Sequence, residues 1–209
     1  MRFFAHFFEL CAQKALFMRI KIGIFASGSG TNAENIIRYF SEKPSFQVTL
    51  IVSNKEDAYV LERARKFDIP AIVCSKMDFL STNKVVDILR GYKIDFIILA
   101  GFLLRIPENI IHIYPNRIVN IHPALLPKYG GKGMYGDHVH EAVVKAGEHE
   151  SGITIHYINE RYDEGNIIFQ VSCRVLPSDT PHDVAEKVHA LEYKYYPRVI
   201  EDVLQTVFT

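Results

Sequence analysis

The stretch Asp95-Phe96-Ile97-Ile98-Leu99-Ala100 constrains the fold more than any other. Its apolar residues run on without alternating, so a strand built from them is buried on both faces. Such a strand belongs at the centre of a parallel sheet with helices over each side. The flanking segments supply the alternation this requires. Residues 20–25 read as a first strand, 48–52 as a second and 71–73 as a short third. Between them Ala33, Ile36, Ile37 and Phe40 recur at helical spacing, Ala58, Leu61, Ala64 and Phe67 fit one helical face, and residues 85–89 lie in a further helix. Strand and helix in alternation predict a doubly wound, mostly parallel α/β sheet with right-handed crossovers. Ligands then bind at the carboxyl ends of the strands. Later in the chain, residues 151–158 and 167–171 read as two strands joined by a turn, which predicts an antiparallel addition near the C-terminus. Thr180-Pro181-His182-Asp183 opens a last helix, with an N-cap, proline at the first position and an acid at the third. Pro197 is expected to kink or restart that helix.

Two of the predicted strand ends carry chemistry. After residues 20–25 comes Ala26-Ser27-Gly28-Ser29-Gly30-Thr31-Asn32, and a helical pattern follows. Strand, glycine-rich turn and helix is the setting in which free amides and a positive helix end hold a phosphate. The loop is neither a Walker A sequence nor a full dinucleotide fingerprint. Thr31 and Glu34 also make a capping-box pattern, which claims the same first-turn amides. The second end is Asn120-Ile121-His122-Pro123-Ala124-Leu125-Leu126-Pro127, after the apolar pair Ile118-Val119. On an extended backbone Asn120 and His122 share a face. A carboxamide can hold an oxyanion and an imidazole can carry a proton near neutral pH, a pairing suited to acyl transfer. From spacing alone, two polar residues satisfied at a strand end is the competing reading.

The 209 residues suffice for one α/β domain with a good core. With 24 basic and 24 acidic residues there is no basic excess to form a nucleic-acid groove, and no apolar run approaches a membrane span. Cys11, Cys74 and Cys173 fit neither a metal spacing nor a disulfide framework, so a reducing cytosol is the expected compartment. Residues 1–17 are apolar and aromatic, but no small-residue cleavage pattern follows as a secretory signal would need. Met18 stands directly before the first strand. Residues 1–17 are therefore expected to be an N-terminal extension, Met18 the natural start, and 18–209 a single domain. Residues 128–136 hold four glycines and predict a mobile loop able to close over substrate. His138 and His140 lie two apart on the helix that follows and face away from each other. No third ligand stands at zinc spacing, so no metal is expected, and His140 reads as part of a solvated helix start.

Asn-x-His-Pro-x-Leu-Leu-Pro at 120–127 resembles the signature of the folate-dependent formyltransferases. The loop at 27–32 and Tyr162-Asp163-Glu164-Gly165 resemble the branch of that family acting on glycinamide ribonucleotide (GAR). The resemblance spans roughly residues 18–205 with the motifs in matching order. It implies transfer of a formyl group from 10-formyltetrahydrofolate, as co-substrate and without a metal, to the amine of GAR in purine biosynthesis. It implies small-molecule substrates, no nucleic-acid or membrane partner, and a cytoplasmic monomer or homodimer. Asn120, His122 and Asp163 match the catalytic set, although Asp163 alone reads as a turn residue. Asp163 is expected to raise the pKa of His122. Gly28, Ser29, Gly30, Thr31 and Asn32 match the loop that holds the substrate's phosphate, with His189 and Glu192 beside its phosphate and ribose. Leu103, Leu104, Arg105 and Ile106, with Asn159, Glu160, Arg161, Tyr162, Asp163 and Asn120, match folate-contacting positions. Many members carry Arg where this chain has Leu104, and here Arg105 comes one place later. The expectation there rests on main-chain contacts. Thr154 and His156 match supporting positions behind the site, and His140 acquires a second reading, as a group shaping the pocket near the incoming amine.

Three other functions compete. Methionyl-tRNA formyltransferase shares the Asn-x-His-Pro motif but is expected to need a further C-terminal domain and a basic surface. Formyltetrahydrofolate hydrolase is expected to need an N-terminal regulatory domain. A phosphate- or nucleotide-sensing module would use residues 27–32 but leave Asn120, His122 and Asp163 without a joint purpose.

Overall fold

The computed structural model describes residues 19–208, so the expected extension and start at Met18 lie outside the described residues. One sheet runs in the order β3-β2-β1-β4-β5-β6-β7. Its strands are β1 Ile20–Phe25, β2 Phe46–Ser53, β3 Ala71–Val73, β4 Phe96–Leu99, β5 Ile118–His122, β6 Glu150–Tyr157 and β7 Ile167–Arg174. The pairs from β3 through β5 are parallel, and β6 and β7 pair antiparallel. The chain winds outward from β1 to β3 and returns to β4 on the other side of β1. Order therefore reverses between β1 and β4, and a crevice opens beyond their carboxyl ends.

The helices are α1 Thr31–Ser41, α2 Val60–Lys66, α3 Lys76–Leu80, α4 Lys84–Gly91, α5 Glu108–Ile113, α6 Asp137–Lys145 and α7 Pro181–Phe208. β4 behaves as its composition requires, with every residue buried. Phe96 and Ile98 enter one apolar layer with Ile36 and Phe40 of α1 and Val199 and Ile200 of α7. Ile97 and Leu99 enter the other with Val85 and Leu89 of α4 and Ile110 of α5.

Of the two outcomes expected at Pro197, a restart does not occur: the last helix is continuous from Pro181 to Phe208. Proline in a helix leaves the carbonyl four residues back without its donor. Here that carbonyl belongs to Tyr193, and the Asn35 side-chain amide of α1 donates to it at 2.9 Å. Pro197 itself is buried. The expected start does form: Thr180 Oγ1 accepts from Asp183 N, and the Asp183 carboxylate accepts from Thr180 N. One residue before Pro197, the buried Tyr196 hydroxyl bonds the carbonyls of Leu99 and Val119, at 2.8 and 3.3 Å. It ties the end of β4 to β5 from beneath the crevice.

Candidate active site

A cavity of about 390 Å³ lies beyond the ends of β1, β4 and β5. Residues 27–32 wall one end, Gly101, Phe102 and Leu103 one side, and Asn120 to Pro123 the other end with Asp163. Met134, Tyr135 and Gly136, from the glycine-rich loop, with Lys55, Ala100, His140, His189 and Glu192, complete it.

At the loop end, Gly30 is the N-cap of α1 in a left-handed conformation, φ 73°. A Cβ there would meet Val60 Cγ2 at 2.5 Å, so glycine is required on both counts. The capping box expected from Thr31 and Glu34 does not form, because no side chain caps this helix. Glu34 turns instead to two guanidiniums, Arg38 first and then Arg63, which hold its carboxyl below the usual range. The first-turn amides of α1 are thereby left free for an anion. Asn32 Nδ2 donates to Glu192 Oε2 at 2.8 Å, while Asn32 Oδ1 is buried without a partner. Glu192 is 6 % exposed, which excludes a surface role. Burial pushes its carboxyl above the usual range against the Asn32 hydrogen bond and nearby His189.

At the other end, β5 places Asn120 and His122 on one face, as the spacing predicts. His156 lies across from Asn120 on β6. Its Nδ1 is 2.9 Å from the Tyr157 carbonyl, which can only accept, so Nδ1 carries the proton and Nε2 accepts from Asn120 Nδ2 at 3.2 Å. One Asn120 hydrogen is thus spent on orientation and the second is available. His122 Nε2 donates to the Tyr129 carbonyl at 2.7 Å, which leaves Nδ1 as the lone-pair nitrogen. The Asp163 carboxylate sits between the two imidazoles, Oδ2 3.8 Å from His122 Nδ1 and Oδ1 3.7 Å from His156 Nε2. Gly131 N donates to Asp163 at 2.9 Å, and Asp163 itself holds a left-handed backbone, φ 54°. The expected pull of Asp163 on His122 is present, but it does not set the net shift. Asp163 and the Tyr129 carbonyl do pull the His122 pKa upward, but burial outweighs both and leaves it below the ordinary value. Burial lowers His156 likewise.

His140 is not part of a solvated helix start. It is 2 % exposed, its Nδ1 has no partner, and it lines the cavity. Burial and then neighbouring His189 lower its pKa. Its periodic position on α6 beside Val139 and Val143 was the available signal.

The structure brings Gly28 to Asn32, Leu103, Asn120, His122, Asp163, His189 and Glu192 to one cavity. Leu104, Arg105, Ile106 and Asn159 to Tyr162 stand outside its wall. They meet each other beside it: the Arg105 guanidinium donates to the Glu160 carbonyl and the Tyr162 hydroxyl to the Leu103 carbonyl. The Ile106 side chain is buried in the core, so only its main chain can serve a ligand. Thr154 is buried and braces the chain after His122, donating to the Ala124 carbonyl and accepting from Leu126 N and Gln170 Nε2. Sequence reasoning missed Ser27, whose hydroxyl accepts from Leu103 N at 2.8 Å and links loop to side wall. It also missed the Tyr129 carbonyl, since no residue type marks a main-chain partner. Among the described residues no group of three or more His, Cys, Asp or Glu is arranged to hold a metal ion, and no helix is long and apolar enough to cross a membrane.

A switch-point crevice with a glycine loop at one strand end and Asn, His and Asp at another defines a class. The formyl transferase family model matches residues 20–200, and the chain belongs to that family. Within it, the chain is 44 % identical over 188 residues to phosphoribosylglycinamide formyltransferase, chloroplastic, of Arabidopsis thaliana, covering 87 % of this chain and 64 % of that protein. It thus spans under two thirds of that plant relative. It is 34 % identical to the Bacillus subtilis phosphoribosylglycinamide formyltransferase, covering 88 % of this chain and 94 % of that protein. The crystal structure of phosphoribosylglycinamide formyltransferase from Bacillus halodurans superposes with a TM-score of 0.80 at 34 % identity, covering 88 % and 95 % of the two chains.

Proposed function

We propose that this chain transfers the formyl group of 10-formyltetrahydrofolate to the primary amine of GAR. The observation that carries the reading is the convergence of loop 28–32 and Glu192 with Asn120, His122 and Asp163 in one cavity. A phosphate-sensing module would have no use for the second group.

The amine of GAR attacks the formyl carbon, and a C–N bond forms as the carbonyl becomes a tetrahedral oxyanion. The Asn120 hydrogen not spent on His156 stabilises that oxygen. His122, neutral through burial, takes the amine's proton on Nδ1, and Asp163 beside it stabilises the imidazolium. Collapse breaks the bond to the folate nitrogen, which receives the proton. Holding two substrates in one crevice supplies much of the remaining acceleration. Gly28 to Asn32 bind the phosphate, Glu192 the ribose hydroxyls with His189 beside it, and the edge formed by 103–106 and 159–163 the folate. The reading includes a single domain at 18–209 preceded by an extension, working in the cytoplasm as a monomer or homodimer.

The test is an absorbance assay with 10-formyldideazafolate as donor, with and without GAR. GAR-dependent deformylation is expected. Deformylation without GAR would replace the transferase reading with a hydrolase, and tight GAR binding without turnover would replace it with a sensor.

A further inference from the structure

Helix α2 lies behind loop 27–32 and contributes no residue to the cavity. It nevertheless holds two of the loop's carbonyls. Val60 N donates to the Gly28 carbonyl at 3.1 Å, and Arg63 Nε donates to the Ser29 carbonyl at 2.7 Å. The peptide bonds after Gly28 and Ser29 are trans. In a trans peptide the carbonyl and the next N–H point in opposite directions from one plane. Tying both carbonyls back to α2 therefore turns the amides of Ser29 and Gly30 away from it, to the side where the cavity lies. Neither amide has a protein acceptor among the described residues. The Arg63 guanidinium is held in turn: it pairs with Glu34, lies over the Tyr59 ring at 5.1 Å and is largely buried. Its charge is spent on Glu34, so its effect on a cavity anion runs through the peptide it orients.

We infer that Arg63, from outside the cavity, is a positioning residue for anion recognition. It fixes the Ser29–Gly30 peptide so that consecutive amides converge on the phosphate of the substrate. This rests on the reading of 28–32 as the phosphate subsite. Without Arg63 the glycine-flanked peptide is free to rotate, and the anion loses oriented donors while every residue lining the cavity is unchanged.

The experiment compares GAR with glycinamide riboside, which lacks the phosphate, in Arg63→Ala, Arg63→Lys and Arg38→Ala. Arg38 is the control because it pairs with the same Glu34 from the exposed side and touches no loop carbonyl. The ratio of kcat/KM for the two substrates should fall about tenfold in Arg63→Ala, the value of one good oriented hydrogen bond. Arg63→Lys should fall between, and Arg38→Ala should match wild type. The KM for the formyl donor should not change. An unchanged ratio in Arg63→Ala, an equal fall in Arg38→Ala, or an equal loss toward both substrates would overturn the inference. Calorimetric titration with inorganic phosphate separates it from the functional reading. If wild type transfers no formyl group, that reading fails. Weaker phosphate binding in Arg63→Ala but not Arg38→Ala still supports the positioning role, and equal binding rejects it.

Discussion

The two ends of the crevice are built differently. At the loop end the main chain sets the geometry: Gly30 sits where a Cβ would strike Val60, and no side chain caps α1. At the β5 end the work falls to side chains whose state is set by burial. His122 and His156 are 4 % and 0 % exposed, and both are pushed toward the neutral form. An anion site can be assembled from one contiguous stretch of strand, turn and helix. The proposed proton-moving group needs β5, β6, the turn at 159–163 and the Tyr129 carbonyl together. The first end should therefore govern binding and the second turnover.

The largest expected effect tests that division directly. Asn120→Ala removes the proposed oxyanion donor and should lower kcat by about 100- to 1000-fold, and His122→Ala and Asp163→Ala should also reduce turnover strongly. KM for GAR should stay near wild type in each, by steady-state kinetics. Near-normal turnover in His122→Ala would remove it from the mechanism. Gly30→Ala should do the converse. The added methyl forces the loop from Val60 and strains a left-handed residue by about 1–3 kcal/mol, so KM for GAR should rise roughly tenfold or more with kcat little changed. A fall in kcat as large as that of Asn120→Ala would erase the distinction between the ends. Smaller again is His156→Ala. Asn120 then loses the acceptor that orients its amide, a hydrogen bond of about 1 kcal/mol, and kcat should drop about fivefold.

What the sequence disclosed follows the same division. The loop at 27–32, the buried strand β4 and the pairing of Asn120 with His122 were legible because each depends on residues near in the chain. Asp163 was legible only through the family resemblance, since an Asp before Glu-Gly reads as a turn until the fold carries it between two imidazoles. Helix α5 was too short for periodicity to register, and α3 went unread although Ser75 and Asp78 form a capping box. That the helix does not restart at Pro197 was not legible, for a tertiary reason: Asn35, far away in the chain, supplies the donor that proline lacks. The pull of Asp163 on His122 was legible and the net shift was not, because charge partners can be guessed from a motif, whereas the depth of burial cannot.

The smallest effect near neutrality is on stability, and burial gives it opposite signs for the histidines and for Glu192. His122, His140 and His156 all have folded pKa values lowered from 6.5 by burial. As pH falls below 6.5 the unfolded chain takes up protons that the folded one refuses, so stability falls. Each histidine contributes a slope of up to about 1.4 kcal/mol per pH unit until its folded pKa is passed. Glu192, at the loop end, acts in the opposite sense. Its folded pKa is raised above 4.5, so between 4.5 and that value the folded state holds a proton that the unfolded state has lost. Its contribution is complete below 4.5 and disappears as pH rises through the folded value. Urea unfolding between pH 7.5 and 4.5 should therefore show stability decreasing toward acid. Glu192→Gln, which removes the opposing group, should make that decrease steeper, while His140→Asn should make it shallower. A slope in Glu192→Gln no steeper than in wild type would mean that the buried carboxyl is already ionised in the folded protein.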